Sequence, residues 1–437
     1  MKKSIPLIIF MVMIMMVVVS WSNISNYGSE VDAEIAMHMK NAQEYEEKEI
    51  LIDAVTEYQA VLRLKPDDYE LAMKIVDLYK ELGIQQKYID ACEAAITADK
   101  TQKAPYILLA DYYTEYSMFG KAHDILSRAM ENVAETDDIK PRLLEIMKKY
   151  STMTLSYSDV SDYHKADNST MGFATAKIDG KNVVVNTTGG ISFSEDYEYI
   201  GIMSDNLRPI KNHGEYYYIN EEKYRKVVPE KEASYLGSFS SGYAPAEFSD
   251  GYAYIDKTGK IVRSGYKFAG GFSRGIAAVQ DQNGKWNVIN SSFEKVVDAE
   301  FDDVKLTDIG YCTETGMFFA KQGDKYTLYN NAGEAVAQGF EDAKLFVSKE
   351  PAAVKQNGKW GFVDTNGKIV VEPKYEEANS FNAGYAPFRQ GKKWGAVNID
   401  GDVLIDPTFD SMRSFSSDGY SLVESEGTFK MVVVNLY

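Results

Sequence analysis

"NGKWGFVDTNGKIVVEPKY" spans Asn357 to Tyr375. In it Trp360 stands directly before Gly361, and two Asn-Gly pairs and Pro373 punctuate short apolar runs. Asn-Gly is a strong hairpin signal, because both central residues of the tightest turns need positive φ. Trp360 and Phe362 alternate with the period of a strand, which marks the tryptophan as a core residue. Pro373 closes the last run, since proline cannot donate to a strand ladder. The stretch therefore reads as short strands joined by tight turns. Whether it stands alone or recurs decides the fold.

It recurs. Trp394-Gly395 repeats Trp360-Gly361 at a spacing of 34. The same column runs through Asn182, Tyr216, Tyr252, Trp286, Tyr326, Trp360, Trp394 and Phe429, at separations of 34, 36, 34, 40, 34, 34 and 35. A glycine stands one to three residues before every member of the column, Gly358 and Gly391 among them. Seven residues after the column come Gly189, Gly259, Gly333, Gly367 and Gly401. A phenylalanine then precedes a glycine at Phe239, Phe272, Phe381 and Phe415. Each unit reads as three short strands, too small to bury its apolar face without a neighbour. Glycine inside a strand weakens it unless something must lie flat against the backbone. The expectation is that a ring from an adjacent strand or unit covers Gly361 and Gly395. Trp286, Trp360 and Trp394 then fill the seam on the opposite face.

These marks resemble the WG repeat family, named for its Trp-Gly pair. The resemblance runs from Lys165 onward, is strongest over 351–415 and weakest over 177–225, where Asn182 and Tyr216 replace the tryptophan. It implies an all-β array of small hairpin units, β-solenoid-like, with closure into a propeller-like ring left open. Propeller blades usually take four strands and about 40–45 residues. Units with a period of 34 therefore favour a curved array.

A second repeat precedes the first. Tyr45, Tyr79 and Tyr113 are each 34 apart in a region poor in Gly and Pro. Ala54 and Ala122 follow by nine residues, and Val61, Ala95 and Ala129 by sixteen. Small residues at such places let paired helices approach closely. The pattern resembles the tetratricopeptide repeat (TPR), a helix–turn–helix unit of about 34 residues. It departs from that family at His38 and Ala72, which hold an aromatic position, and at Tyr88, which stands where Ala is expected. Ile139 to Tyr150 reads as a capping helix.

At the extreme N-terminus Lys2 and Lys3 precede the apolar run Ile5–Val19. A basic flank before an uncharged apolar segment is a membrane-targeting pattern. Two readings stand: a retained membrane anchor, or a signal peptide cleaved near Ser20 and Ser22. Either sends the rest of the chain out of the cytoplasm.

The chain has 437 residues, a net charge of −18 and 31 tyrosines. That charge argues against a nucleic-acid partner, which needs a basic face. Cys92 and Cys312 fall in different expected domains, so no disulfide is expected. The four histidines show no metal-ligand spacing. No nucleophile elbow or phosphate-binding glycine loop occurs. Asp364 to Gly367 has the residues of a calcium loop but lacks its terminal Glu, and reads as a turn.

The sequence thus describes an α+β multidomain repeat protein. A signal anchor or signal peptide occupies 1–22, a TPR-like α-solenoid 31–150, a linker 151–164 and a WG-repeat β domain 165–437. The expected function is non-enzymatic scaffolding, with unidentified protein partners and no cofactor. The alternative is cell-wall glycan binding through exposed aromatics.

Overall fold

The computed structural model describes residues 30–161, 164, 165 and 172–434. The segment expected to be an anchor or signal peptide lies outside the described residues. Among those described, no helix is long and apolar enough to cross a membrane. The chain divides into two compact units between Ile146 and Met147.

The first unit is a helical repeat region of seven helices among the described residues. Helix α1 covers residues 30–47. It is followed by α2 (Leu51–Leu64), α3 (Tyr69–Leu82), α4 (Gln85–Ala98), α5 (Ala104–Glu115), α6 (Phe119–Asn132) and α7 (Ile139–Met147). Helices α2, α4 and α6 begin at 51, 85 and 119, so the period of the sequence is the period of the helix pairs. Local chemistry sets the boundaries. Asp68 caps α3 by accepting from the Leu71 amide at 3.1 Å. Gly83 ends it with φ +68°, where a side chain would be strained. The core is one continuous cluster in which Ala54, Ala95, Ala122 and Ala129 are fully buried. Tyr79 and Tyr113 are buried against it, and Tyr45 is half-buried.

The second unit is eight antiparallel sheets in a propeller-like ring. Sheets 1 to 7 run along the chain, from His164–Ser194 through Tyr199–Val227, Ala233–Tyr266, Phe268–Asn290, Asp303–Phe340 and Asp342–Tyr375 to Glu377–Phe409. Sheet 8 takes three strands from Ser411–Val434, and its fourth is Tyr150–Thr154, the first strand of the unit. Tyr150 pairs with Val434 and Thr154 with Lys430. The segment expected to be a linker is therefore in part the strand that closes the ring.

The expectation of three strands per unit falls one short. The fourth is only two residues long in several sheets, as at Tyr199–Ile200, Asp342–Ala343 and Glu377–Ala378. It forms where the Pro-x-Tyr segment of one unit runs into the next, so a four-stranded blade fits within the short repeat period. Sheet 4 is the exception. Its outer place is held by isolated bridges, Ile289 to Lys295 and Trp286 to Phe301. The preference for a curved array gives way to a closed ring for these two reasons: short fourth strands, and a closing strand supplied from ahead of the repeats.

Each seam between sheets buries its own apolar cluster. Strand alternation sends Trp360 and Phe362 toward sheet 7 and Val363 toward sheet 5. Phe239 packs on Tyr218 of the preceding sheet at 4.7 Å between ring centroids, Phe272 on Tyr254 at 5.0 Å, and Phe381 on Phe362 at 4.6 Å. Phe415 meets Tyr385 at 5.0 Å. The last seam is of the same kind. Leu422 and Met431 of sheet 8 share a cluster with Ala174, Val183 and Val185 of sheet 1.

The glycine seven residues past the column lies against the preceding sheet or the segment just after it. A Cβ on Gly259 would lie 2.0 Å from the Val228 carbonyl oxygen, just past the preceding sheet, and one on Gly367 would lie 2.7 Å from that of Val336. Gly401 meets the end of the Lys374 side chain instead, at 2.6 Å. Gly189 of sheet 1 meets Met153 and Leu155, at and just past the end of the closing strand.

The Trp-Gly pair has a different cause from the one expected. What lies on Gly361 is backbone, not a ring. Opposite Trp360–Phe362 the partner strand runs from Val371 to Tyr375, so residues 372–374 bulge over the glycine. A Cβ at Gly361 would sit 2.5 Å from the Val371 carbonyl oxygen and 2.7 Å from the Pro373 nitrogen. Gly395 faces Ile405 and Pro407 likewise, at 2.3 and 2.8 Å. In sheets 3 and 5 the place of this glycine is taken by Ala253 and Thr327. There the bulge is a single glycine, Gly265 or Gly339, at φ +95°.

Two outcomes are expected. Gly361→Val should cost about 3 kcal/mol through overpacking against fixed backbone, seen as a thermal midpoint lowered by several degrees. Gly358→Ala, in open space but at φ +76°, should cost only about 1–2 kcal/mol of backbone strain. Thr152→Pro with Met153→Pro should break the closing ladder whichever of the two amides donates, and should lower and broaden the unfolding transition. An unchanged transition would mean the ring does not depend on this strand.

Candidate functional site

In sheets 5 to 8 the first, two-residue strand is followed by a loop that turns inward. Thr307, Lys344, Asn379 and Arg413 on such loops of sheets 5 to 8 share one cavity with Thr187 of sheet 1. Sheets 1 and 5 are not neighbours, so a cavity touched by both lies at the centre of the ring. It encloses about 360 Å³. Its polar lining is largely spent on structure. Asn379 donates to the Met412 carbonyl at 2.8 Å and Asn382 to that of Phe415 at 2.9 Å, stitching sheet 7 to sheet 8. Arg413 donates to the Val160 carbonyl at 2.7 Å. The Lys344 ammonium lies 5.7 Å from the centre of the Trp360 ring. Asp308 and Glu314 add acid to the same lining. The charges are mixed, and among the described residues no histidine or cysteine borders the space.

The ring face that carries the tryptophan column changes character halfway round. From Tyr216 through Tyr199, Tyr235, Tyr252 and Phe268 to Trp286, six half-buried rings touch in sequence at 5.7, 6.2, 6.4, 5.3 and 5.4 Å. In sheets 5 to 7 the place of Phe268 is taken by Asp303, Asp342 and Glu377. These carboxylates are partnered: within sheet 5 Tyr326 donates to Asp303, within sheet 7 Arg389 pairs with Glu377 at 2.9 Å, and between sheets 5 and 6 Lys305 pairs with Asp342 at 2.6 Å. Trp360 is buried, whereas Trp286 and Trp394 are half-buried. All three occupy successive copies of one place rather than converging on a site.

Arg208 was invisible as a candidate in the sequence. It is only 7% exposed in sheet 2, where sheets 1, 3, 4, 6 and 7 carry Ala174, Ala244, Ala277, Ala352 and Ala386. It donates to the Gly201 carbonyl at 2.7 Å and stacks 4.3 Å from the Phe193 centroid. Its Nε has no acceptor, and burial pulls its pKa down to about 10. It does not border the central cavity.

The helical unit has a hollow of its own. Residues of α3, α4 and α5 enclose about 340 Å³ around Tyr88, Tyr112 and Tyr116. Tyr88 and Tyr112 meet at 5.6 Å, and Tyr112 and Tyr116 at 4.7 Å.

The remaining chemistry-bearing groups are dispersed. Cys92 and Cys312 are buried free thiols, both pushed up to about 12 by desolvation, which disfavours the thiolate. His38 contacts Glu57 at 2.5 Å, and burial lowers the pKa of His123. Among the described residues no group of three His, Cys, Asp or Glu could hold a metal.

Arg208 generates an expectation. A buried, unpaired cation is often replaced by a packed apolar residue at no cost or with a gain of about 1–4 kcal/mol. Arg208→Met should leave the thermal midpoint unchanged or raised. A fall of more than about 2 kcal/mol in stability would mean that the Gly201 bond and the Phe193 stack outweigh the desolvation.

Comparison with known proteins places the β unit. The family profile of the "WG containing repeat" matches residues 252–286, 326–360, 360–394 and 394–429, each running from one column residue to the next. No curated protein matches the chain. Among solved structures, the crystal structure of MamA protein is 20% identical, with a TM-score of 0.22, over 26% of this chain. The chain spans 61% of that protein's length. The TPR2B domain of yeast Sti1, in complex with a pHsp70 peptide, is 19% identical with a TM-score of 0.21, over 25% of this chain and 94% of that one. A chain of the Mitotic Checkpoint Complex is 9% identical with a TM-score of 0.33, over 65% and 94%. The family match and the ring geometry agree on one conclusion: residues 252–286 and 326–429 match WG containing repeats, set behind a helical repeat region in the same chain.

Proposed function

We propose that the chain is a non-catalytic interaction scaffold that binds partner proteins through both repeat units. One observation carries this reading. Each unit offers a hollow of about 340–360 Å³, and in neither do an activated nucleophile, a base and a positioned third group come together. Hollows of this size take a side chain or a short segment. Repeat arrays present long surfaces suited to holding partners. The scaffold is tethered to a membrane and faces outside the cytoplasm. That part of the reading rests on Lys2, Lys3 and the apolar run from Ile5.

A second reading is favoured by the six touching rings from Tyr216 to Trp286. Aromatic faces in a row suit sugar rings, so the ring would hold a cell-wall glycan.

Crosslinking in the native cell separates the two. A scaffold should yield discrete proteins attached to peptides of the helical unit, the ring, or both. A glycan binder should instead be retained on peptidoglycan and released by soluble sugar, with no protein attached. Turnover of any substrate by the purified chain would remove the non-catalytic part of the proposal.

A further inference from the structure

Tyr88 breaks the helical repeat. It stands at the place of Ala54 and Ala122, where a small residue lets paired helices close up. The larger phenol there is still buried, at 6% exposure, and packs toward α5. Its hydroxyl reaches the Leu108 carbonyl of α5 at 3.4 Å, and burial raises its pKa. The groove bounded by α3, α4 and α5 opens around it. Tyr116, which is 46% exposed, forms its outer wall and is held by Gln85, whose amide donates to the Tyr116 hydroxyl at 2.8 Å.

The groove is lined by Asp111, Glu115 and Lys80, and acid predominates on the surface that continues from it. Glu47, Glu81 and Glu115 recur with the period of the helix pairs on α1, α3 and α5. Each is exposed, and among the described residues none makes an ion pair. Asp77 and Asp111 keep the same spacing one turn earlier, and Asp111 is paired with Arg142. Lys80 is the cation at the rim. Residues 30–146 hold 25 acidic and 13 basic side chains, a net −12 out of the chain's −18. Tyrosine faces attract cations through the ring quadrupole, and a neighbouring carboxylate strengthens the contact.

We infer that this groove docks a basic, extended segment of a partner protein, with a lysine or arginine side chain lying on Tyr112 and Tyr116 and its charge met by Glu115. The inference rests on the scaffold reading and supplies the chemistry of one partner. The other acidic positions on α1 and α3 lie a helix diameter or so apart, about 10 Å. An extended chain covers that distance in about three residues, so basic residues at every third place suit the surface.

The test uses the full chain and a fluorescein-labelled nine-residue peptide with lysine at every third position and alanine between, followed by anisotropy. Saturable binding is expected, with none for the peptide bearing glutamate in place of lysine. Tyr116→Ala and Glu115→Gln lie on the exposed wall, so the fold should survive, and circular dichroism checks that it does. Together they should weaken binding about tenfold, the scale of one desolvated cation–π contact. Glu131→Gln on α6 changes the net charge equally and should change affinity less than about twofold. Equal loss in Glu131→Gln and Glu115→Gln would reduce the effect to the diffuse field and overturn the site. So would undiminished binding by the double variant, or no saturable binding of the lysine peptide. If the peptide fails while crosslinking still attaches a protein to the helical unit, the scaffold reading stands and the basic-segment inference falls.

Discussion

The ring depends on one strand pairing, Tyr150–Thr154 against Lys430–Val434. A sheet of short strands with two apolar faces and an unpaired edge is unstable by itself and prone to associate with other edges. Seven of the eight sheets solve the face problem by burying it on the neighbour made next along the chain. The eighth turns back to the start of the unit. Its face must be buried on sheet 1, and its edge is covered by a strand made before sheet 1. The ends of the unit are thereby fastened together. The glycine contacts show how closely the join imitates an ordinary seam. Gly189 meets Met153 and Leu155 at the place where Gly259 meets Val228.

A glycine is needed wherever one backbone must cross another at less than side-chain distance. Two such crossings meet in the unit of Trp360. One lies within a sheet, where residues 372–374 pass over Gly361. The other lies between sheets, where the turn at Gly367 meets the carbonyl of Val336. The tryptophan is the complement of the first crossing. A strand that gives up a side chain on one face must gain apolar area on the other, and Trp360 supplies it in the seam with sheet 7. Units that lack the glycine have moved the small residue into the bulge itself, as Gly265 and Gly339 do. The column therefore tolerates tyrosine without loss of the fold.

Much of this was legible in the sequence because identical environments repeat. The columns at Trp360, Gly367 and Phe381 each report one recurring contact, and Tyr79 and Tyr113 report the helical core. The features that escaped were those that periodicity cannot register. A two-residue strand such as Glu377–Ala378 is shorter than one cycle of alternation. The closing strand, Tyr-Ser-Thr-Met-Thr, is exposed at all five positions, so its composition is that of a linker. Its affinity for the sheet is in its backbone, which every sequence has. Arg208 escaped for the opposite reason, being a unique residue at a place where five of the other sheets carry alanine. What covers Gly361 was misjudged because a missing side chain reports close approach without reporting by what.

The two units differ in how they use charge. The ring, from residue 147 on, holds 32 basic and 40 acidic residues, many of them paired with each other, as Lys305–Asp342 is between sheets 5 and 6 and Arg389–Glu377 within sheet 7. Charge used in this way is neutralised locally and projects little field. The helical unit concentrates a larger excess in fewer residues, and its recurring glutamates at 47, 81 and 115 stand free of ion pairs among the described residues. Some of its carboxylates pair between helices, as Glu46 does with Lys74 and Glu93 with Arg128, whereas the recurring glutamates remain available to the surroundings. The consequence is a chain with two kinds of surface. One is electrostatically near balance, with selectivity that must come from shape and aromatic faces. The other is strongly acidic, and it favours and steers basic partners before contact is made.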